Sequence, residues 1–559
     1  MCVPALGASG PPTAAAGDHM ADMVLLGDEA VAIGAVHAGL SAAYAYPGTP
    51  STEIVEYLIR YEARHGRPLA SWTTNEKTAY EAALGVSMMG RRTLVAMKHV
   101  GLNVAADPFM NSAIVAIHGG LVVVSADDPG MHSSQNEQDS RYFADFARII
   151  CLEPANQQES YAMTREAFDL SERFHIPVLV RLVTRLAHSR AVVQTSDARP
   201  ENPVSKSGMP HAWILLPANA RRQWRSLLAR QRDFLAYTET CPHNTLELHP
   251  KRREYGVITT GLARNYLVEN LDDLGYRPSH LHIGAYPVPV SMVRALAGHV
   301  QSVLMLEEGY PYVERMLRGI VAPVIPVLGK ESGEVPPDGE LTPDIVRAAL
   351  KLPARPAMAP SELPLPDRPP QLCAGCPHAD TFEALTIALG GFAMPVVTSD
   401  IGCYTLGALP PYGSIESCVC MGASVGMAKG ASDAGVRPAI GIIGDSTFLH
   451  SGVTPLIDAV ASNADMTLVI VDNETTAMTG GQPTMLPSAR LAHVVKGVGV
   501  DPAHVRVLEA HHRRTRENAA ILRQEIEHPG LSVVIMVREC IETVKAKVQD
   551  RKAPEPPVS

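Results

Sequence analysis

Ala439-Ile440-Gly441-Ile442-Ile443-Gly444-Asp445-Ser446 and Thr467-Leu468-Val469-Ile470-Val471-Asp472-Asn473 are the two stretches on which the fold turns. Each is a strand-length apolar run that reads as a buried strand and stops at a polar tip. Both tips are expected at the C-terminal edge of one parallel sheet, where ligands bind in such folds. Asp445 and Asn473 offer a carboxylate and an amide oxygen. A hard divalent cation such as Mg²⁺ takes donors of this kind and keeps its other positions for water and a diphosphate, with the backbone carbonyl of Thr475 as a third protein donor. Taken singly, Gly-Asp and Asp-Asn are also ordinary strand-ending turns. The pair together favours a metal site.

Similar runs recur upstream at 42–46, 93–97, 121–125, 178–182, 255–259 and 302–306, and downstream at 531–537, with helix-length segments between them. This alternation predicts an α/β chain of parallel sheets wrapped by helices. A polar, basic stretch with a helical patch over 219–237 and a proline-rich stretch over 353–370 interrupt it. The expected organisation is therefore a leader over 1–22, with Met20 or Met23 as candidate starts, and a first α/β unit over 23–195. A connecting segment over 196–253, a middle unit over 254–352, the linker over 353–370, a third unit over 371–545 and a tail over 546–559 complete it.

A length of 559 residues agrees with such modularity, being too great for one hydrophobic core. With 46% hydrophobic and 19% charged residues the composition is globular rather than disordered or fibrous. Forty-eight basic against 58 acidic residues, without a long basic run, make nucleic acid an unexpected partner. No apolar run reaches membrane-spanning length, and the first residues lack the basic start and apolar core of a secretion signal. Nine cysteines in such a chain are expected as thiols in a reducing, cytoplasmic setting.

Gly444-Asp445-Ser446, a helix, and Asn473 resemble the thiamine diphosphate motif, which opens with Gly-Asp-Gly and closes with Asn; Ser446 is the departure. Upstream, Cys418-Val419-Cys420-Met421-Gly422-Ala423-Ser424-Val425-Gly426 resembles the segment that cradles the aminopyrimidine of that cofactor, and Asp400-Ile401-Gly402-Cys403 a second cofactor-lining turn. The resemblance implies cofactor contacts from Gly402, Cys403, Met421, Gly422, Ala423, Ser424, Gly444, Asp445, Ser446 and Asn473, with Met421 as the apolar wedge beneath the bent cofactor. Taken alone, Met421 reads as core filling. Trp72-Thr73-Thr74-Asn75-Glu76-Lys77 puts Glu76 at a helix start that Asn75 or Thr74 can cap. There an acid suits the helix dipole by itself, and the resemblance adds the role of the glutamate that meets the aminopyrimidine ring nitrogen.

Three longer strings narrow the family: Tyr46-Pro47-Gly48-Thr49-Pro50-Ser51-Thr52-Glu53-Ile54, Met97-Lys98-His99-Val100-Gly101-Leu102-Asn103, and Asp127-Asp128-Pro129-Gly130-Met131-His132 onward to Asp139. With Glu307-Glu308-Gly309-Tyr310-Pro311 and Cys373-Ala374-Gly375-Cys376-Pro377-His378, they resemble the alpha subunit of indolepyruvate ferredoxin oxidoreductase over nearly the whole chain. The resemblance implies a pyrimidine-binding domain, then a transketolase-C-terminal-like domain, then a diphosphate-binding domain. It also implies thiamine diphosphate and Mg²⁺, and oxidative decarboxylation of an aryl 2-oxo acid to an acyl-coenzyme A. The partners it implies are a smaller oxidoreductase subunit and ferredoxin or another electron acceptor, in a homodimer or heterotetramer that sets Glu76 of one domain against Met421 of another.

Thr49 is the candidate for contacting the substrate, with His99 and Asn103 behind it. The alternatives are a helix-capping hydroxyl for Thr49 and a hydrogen-bonded structural role for His99. Relatives commonly continue into a ferredoxin-like module with cluster-binding cysteines, and the sequence lacks that pattern after Val537. No iron–sulfur cluster is therefore expected in this chain, although Cys373 and Cys376 with Cys418 and Cys420 form a formally legitimate metal set. Cys151, Cys241 and Cys540 read as small buried hydrophobes. The missing module keeps a non-oxidative thiamine-dependent decarboxylase or carboligase open as the alternative function.

Overall fold

A computed structural model of the chain describes residues 21–206, 208, 209, 211–356 and 370–550. Every run read above as a strand is one, with its ends within two residues of expectation. They fall into three main sheets.

The first sheet runs in the order Ala285–Tyr286, Cys151–Leu152, Val178–Val183, Leu121–Asp127, Thr93–Lys98, Ala42–Ala45, Leu69–Trp72. All its pairings are parallel except that of Ala285–Tyr286 with Cys151–Leu152. Central strands such as Leu121–Asp127 are buried along their whole length because helices cover both faces. The middle sheet has parallel strands Val327–Leu328, Val303–Leu306, Gly256–Thr260 and Ser279–Ile283, with Asn244–Glu247 antiparallel at its edge. The third is wholly parallel, in the order Val396–Thr398, Ala439–Gly444, Thr467–Asp472, Ser532–Val537, Val505–Glu509.

In the third unit the twofold alternation of side chains along a strand divides the core cleanly. Ala439, Ile443, Leu468, Ile470, Val533 and Ile535 pack on one face of the sheet. Ile440, Ile442, Val469, Val471, Val534 and Met536 pack on the other. The first and middle units are less separate than the sequence suggests. Ala285–Tyr286 leaves the middle unit to pair with the first sheet, and one apolar core runs from Val31 to Leu350 through both.

Two expected boundaries shift for the same reason, a strand that pairs outside its own segment. Residues 21 and 22, assigned to the leader, belong to the strand Ala21–Leu26, which pairs with Arg190–Thr195. Asn244–Glu247, within the expected connecting segment, completes the middle sheet. The helix Pro217–Thr238 covers the helical patch at 219–237. Residues 1–20, 357–369 and 551–559, which carry most of the leader, linker and tail, lie outside the described residues. Among the described residues no helix is long and apolar enough to cross a membrane.

Candidate functional site

The strand register builds the site. Ala439–Gly444 and Thr467–Asp472 pair with Gly444 opposite Val471, so the next residues on each chain, Asp445 and Asp472, emerge side by side at the C-terminal edge. Both are buried, at 3% and 2% exposure. Burial and then the facing Asp472 carboxylate hold Asp445 well above the usual carboxylate range. Burial raises Asp472 as well. Asp445 Oδ2 and Asp472 Oδ2 have no hydrogen-bond partner. Asn473 is buried beside them, its Oδ1 accepting from the Thr475 amide at 3.3 Å. Two adjacent carboxylates with unpartnered oxygens and an amide oxygen form a donor set that fits a hard divalent cation.

The first sheet faces this edge with its own strand ends. Glu76 starts the helix Glu76–Met88, capped as expected by Asn75, whose side chain accepts from the Thr78 amide. Glu76 is 5% exposed, and its Oε2 lies 2.8 Å from Nε2 of His450 in the third unit. Asn75 Nδ2 donates to the His450 carbonyl at 2.9 Å. The His450 ring meets Tyr46 edge-on, with centroids 4.6 Å apart. His450 lies in a π-helical turn over Phe448–Gly452, a distortion that often marks functional sites. Gly101 makes room for the carboxylate, since a Cβ there would sit 2.5 Å from Glu76 Oε1. Tyr46 closes the seam through its hydroxyl, 2.8 Å from Ser446 Oγ, and burial pushes that phenol above its usual range.

Between these walls lies a cleft with about 960 Å³ of space free of protein atoms, open solvent included. Thr49, Glu76, Gly402, Cys403, Met421, Gly444, Asp445, Ser446, Asn473 and Thr475 all line it. Glu76 and Met421 thus share one cleft within a single chain, whereas the sequence reading assigns their meeting to dimerisation. The strand ends of the first and third sheets bring them there.

Other expected residues lie elsewhere. Gly422 and Ala423 are absent from the lining: Gly422, at φ +85°, turns the chain into the helix Ala423–Asp433. A side chain there would meet Ser451 Cβ at 2.7 Å. Ser424 is fully buried and donates to Asp400 Oδ2 at 2.5 Å. Burial raises Asp400 to about 6. Gly402 does permit a close approach, but to the Tyr404 ring, which a Cβ would meet at 2.3 Å. His99 is buried and turned away, its Nε2 3.1 Å from the Asn136 carbonyl oxygen, and Asn103 is exposed on the helix His99–Val104. Thr49 is not the cap considered above: Thr52 Oγ1 takes the Gly48 amide and Ser51 Oγ bonds the Gly48 carbonyl.

Residues 33–218 match the family model described as pyruvate flavodoxin/ferredoxin oxidoreductase, thiamine diP-binding. Residues 400–536 match the thiamine pyrophosphate enzyme C-terminal TPP-binding domain. Over 544 residues the chain is 36% identical to an indolepyruvate oxidoreductase subunit IorA of Archaeoglobus fulgidus, with 92% of this chain and 86% of that one covered. The chain belongs to the IorA family. Its likeness to the IorA subunit of Methanothermobacter marburgensis is 36% over 545 residues, covering 93% and 87% of the two chains. To that of Thermococcus kodakarensis it is 34% over 568 residues, covering 93% and 86%. As an IorA-family chain it is an α/β subunit of the thiamine diphosphate-dependent 2-oxo acid:ferredoxin oxidoreductases, and its two matched regions are those that face each other across the cleft.

Sequence reasoning missed several residues of this IorA-family cleft. Lys98 ends the strand Thr93–Lys98 and lines it, as does His378, a buried imidazole that burial lowers to about 4 and whose two nitrogens lack partners. Asp472 stood beside Asn473 in the sequence, whereas His450 had no local signal. The cysteines also regroup. Cys403, raised by burial to about 12, has Cys376, Cys540 and Cys373 as its next electrostatic neighbours. Arg538 ties this corner together, donating to the Gly375 carbonyl at 2.7 Å and pairing with Asp380 at 2.6 Å. Cys418 and Cys420 are exposed. Cys151 and Cys241 are buried as read, but Cys540 is half-exposed. Among the described residues the cysteines do not bring three ligand atoms together at metal-binding distance.

Proposed function

We propose that this chain is the large subunit of a thiamine diphosphate- and Mg²⁺-dependent oxidoreductase that decarboxylates an aryl, indolepyruvate-like 2-oxo acid and delivers the acyl group to coenzyme A. The observation that carries this reading is the opposition of Glu76 to the Asp445, Asp472 and Asn473 oxygens across one cleft. Bound thiamine diphosphate supplies a nucleophilic ring carbon and an electron sink for decarboxylation, chemistry that side chains lack.

The chain's part is to bind and orient. Asp445, Asn473 and the Thr475 carbonyl would hold a divalent cation for the diphosphate, and that cation would offset the buried charge of Asp445 and Asp472. Glu76 exchanges a proton with the aminopyrimidine ring nitrogen through its carboxyl oxygens, which His450 Nε2 and the space at Gly101 hold in one orientation. Met421 provides the apolar support under the cofactor, and Tyr46 with Ser446 shuts the seam between the units. Thr49, whose hydroxyl has no partner among the described residues, faces the substrate.

Membership of the IorA family supports the oxidative route over the non-oxidative decarboxylase or carboligase. Such a chain calls for a smaller partner subunit, an acceptor such as ferredoxin, and a reducing, cytoplasmic setting that keeps its thiols free.

The test is an anaerobic assay of the chain with its small subunit, indolepyruvate or phenylpyruvate, coenzyme A and a viologen acceptor. Acyl-coenzyme A formation with acceptor reduction is expected. Aldehyde release by the chain alone, without coenzyme A or acceptor, would establish the non-oxidative reading instead.

A further inference from the structure

Lys98 stands at the C-terminal end of the strand Thr93–Lys98 and lines the cleft together with Thr49, Glu76, Ser133 and Gln135. Its ammonium carries three donors. The partner it finds is the Ser133 carbonyl oxygen, at 3.2 Å. Among the described residues no carboxylate lies within ion-pair distance of it, while the nearest acids are engaged elsewhere. Asp128 accepts from the Ser133 amide at 2.8 Å, from Ser134 Oγ at 2.7 Å and from Thr184 Oγ1 at 2.7 Å. Glu76 is held by His450. The stem of Lys98 is fixed by the Pro47-Gly48-Thr49 turn, where a Cβ on Gly48 would stand 3.2 Å from the Lys98 Cδ and Cγ. The free Thr49 hydroxyl belongs to the same turn.

A half-buried cation without a counter-ion is costly, and here burial draws its pKa down to about 8. A structure that keeps such a group beside a ligand cleft leaves a place for an anion that arrives with the ligand.

We propose that Lys98, with Thr49 beside it, binds the carboxylate of the 2-oxo acid substrate, on the Glu76 side of the cleft and away from the Asp445 cation site. This rests on the 2-oxo acid reading above and adds the residue that selects an acid over an aldehyde or ketone. The carboxylate leaves as uncharged CO₂, so a cation that holds it stabilises the bound substrate more than the transition state. Lys98 therefore acts on KM rather than on kcat.

The experiment uses the full chain with its small subunit, as wild type, Lys98→Met and Lys98→Arg. KM for phenylpyruvate is expected to rise about 10- to 100-fold in Lys98→Met, as for loss of a charge-assisted hydrogen bond, with kcat unchanged or higher. Lys98→Arg restores most of the affinity. KM for coenzyme A and the thiamine diphosphate Kd stay within about twofold, against the tenfold steps expected for a lost charge contact. A rise in the coenzyme A KM, or a matching loss of thiamine diphosphate affinity, would assign Lys98 to a phosphate and overturn the proposal. So would an unchanged phenylpyruvate KM. Calorimetric binding of phenylpyruvate to the cofactor-loaded chain separates the two readings. If the wild type binds it through Lys98 yet turns nothing over, the catalytic reading fails and this one stands; if Lys98→Met binds it as tightly as wild type, this one fails by itself.

Discussion

Arg141 and Arg181 are fully buried where the first and middle units join and each is paired with carboxylates, whereas Asp445 and Asp472 are buried at the cleft with an unpartnered carboxylate oxygen each, and Lys98 is half-buried there without an ion-pair partner among the described residues. At the join, Arg141 pairs with Asp139 at 2.5 Å and Glu307 at 3.0 Å, and Arg181 with Asp127 and Glu153, both at 2.6 Å. Tyr286 hydroxyl adds a bond to Glu153 at 2.5 Å, and Arg141 stacks over Tyr312. In the cleft, like charges face each other at Asp445 and Asp472, and a lysine stands without an anion. Burial of charge is common to both regions; the difference is whether opposite charges stand in contact. A satisfied network fixes the relation of two units, while an unsatisfied one is held in place by the rest of the fold for a ligand that completes it.

That contrast can be broken at either end. Glu76→Gln keeps the hydrogen bond to His450 but removes the exchangeable charge, and kcat should fall about 10²- to 10⁴-fold with the melting temperature unchanged. Retained activity would remove Glu76 from the proton path. Arg181→Met leaves Asp127, Asp139 and Glu153 without their shared cation, and denaturant unfolding should show a loss of about 3–5 kcal/mol. A smaller loss would mean that the join tolerates open charge as the cleft does. Gly101→Ala pushes a methyl into Glu76 Oε1, so kcat should drop about tenfold or more, as for a displaced catalytic group, while thiamine diphosphate still binds.

The pH dependence is gentler. Lys98 is cationic below about 8, with Asp128 and Glu76 pulling its pKa up against burial. As pH rises through that value the ammonium is lost, and kcat/KM for the 2-oxo acid should fall up to tenfold per unit. Lys98→Arg, which stays charged, should flatten the decline. The smallest effect contrasts most sharply with Arg181. Because Asp445 is held above its ordinary range, the cofactor-free protein loses stability as pH rises through the raised value, and Asp445→Asn removes that loss. Its unfolding free energy at neutral pH should be equal to or slightly above wild type.

The sheets were legible because parallel strands buried on both faces leave continuous apolar runs. The strands that escaped lack them. Ser279–Ile283 interleaves two histidines that bond Thr259 across the strand pair, and Val505–Glu509 lies at the sheet edge with half its side chains in solvent. Of the site, Glu76, Asp445 and Asn473 were legible because each sits at a strand tip or helix start. Lys98 was not, although it adjoins His99, which was considered: the last residue of the strand points into the cleft and the first of the helix turns away. His450 and Cys540 meet their partners through distant sequence, which no local pattern records. The Asp127 to Asp139 string and Glu307-Glu308 were recognisable as family marks, but only the fold reveals that Asp127, Asp139 and Glu307 pair with the buried arginines of the join while Ser133 and Gln135 line the cleft.

The central claim is that two regions far apart in sequence hold one cofactor through a cation. Titration calorimetry of the chain with thiamine diphosphate, with and without Mg²⁺, tests it most directly. Binding is expected only with Mg²⁺, to be abolished in Asp445→Ala and retained in Glu76→Gln. Equal affinity without the metal, or undiminished binding in Asp445→Ala, would contradict it.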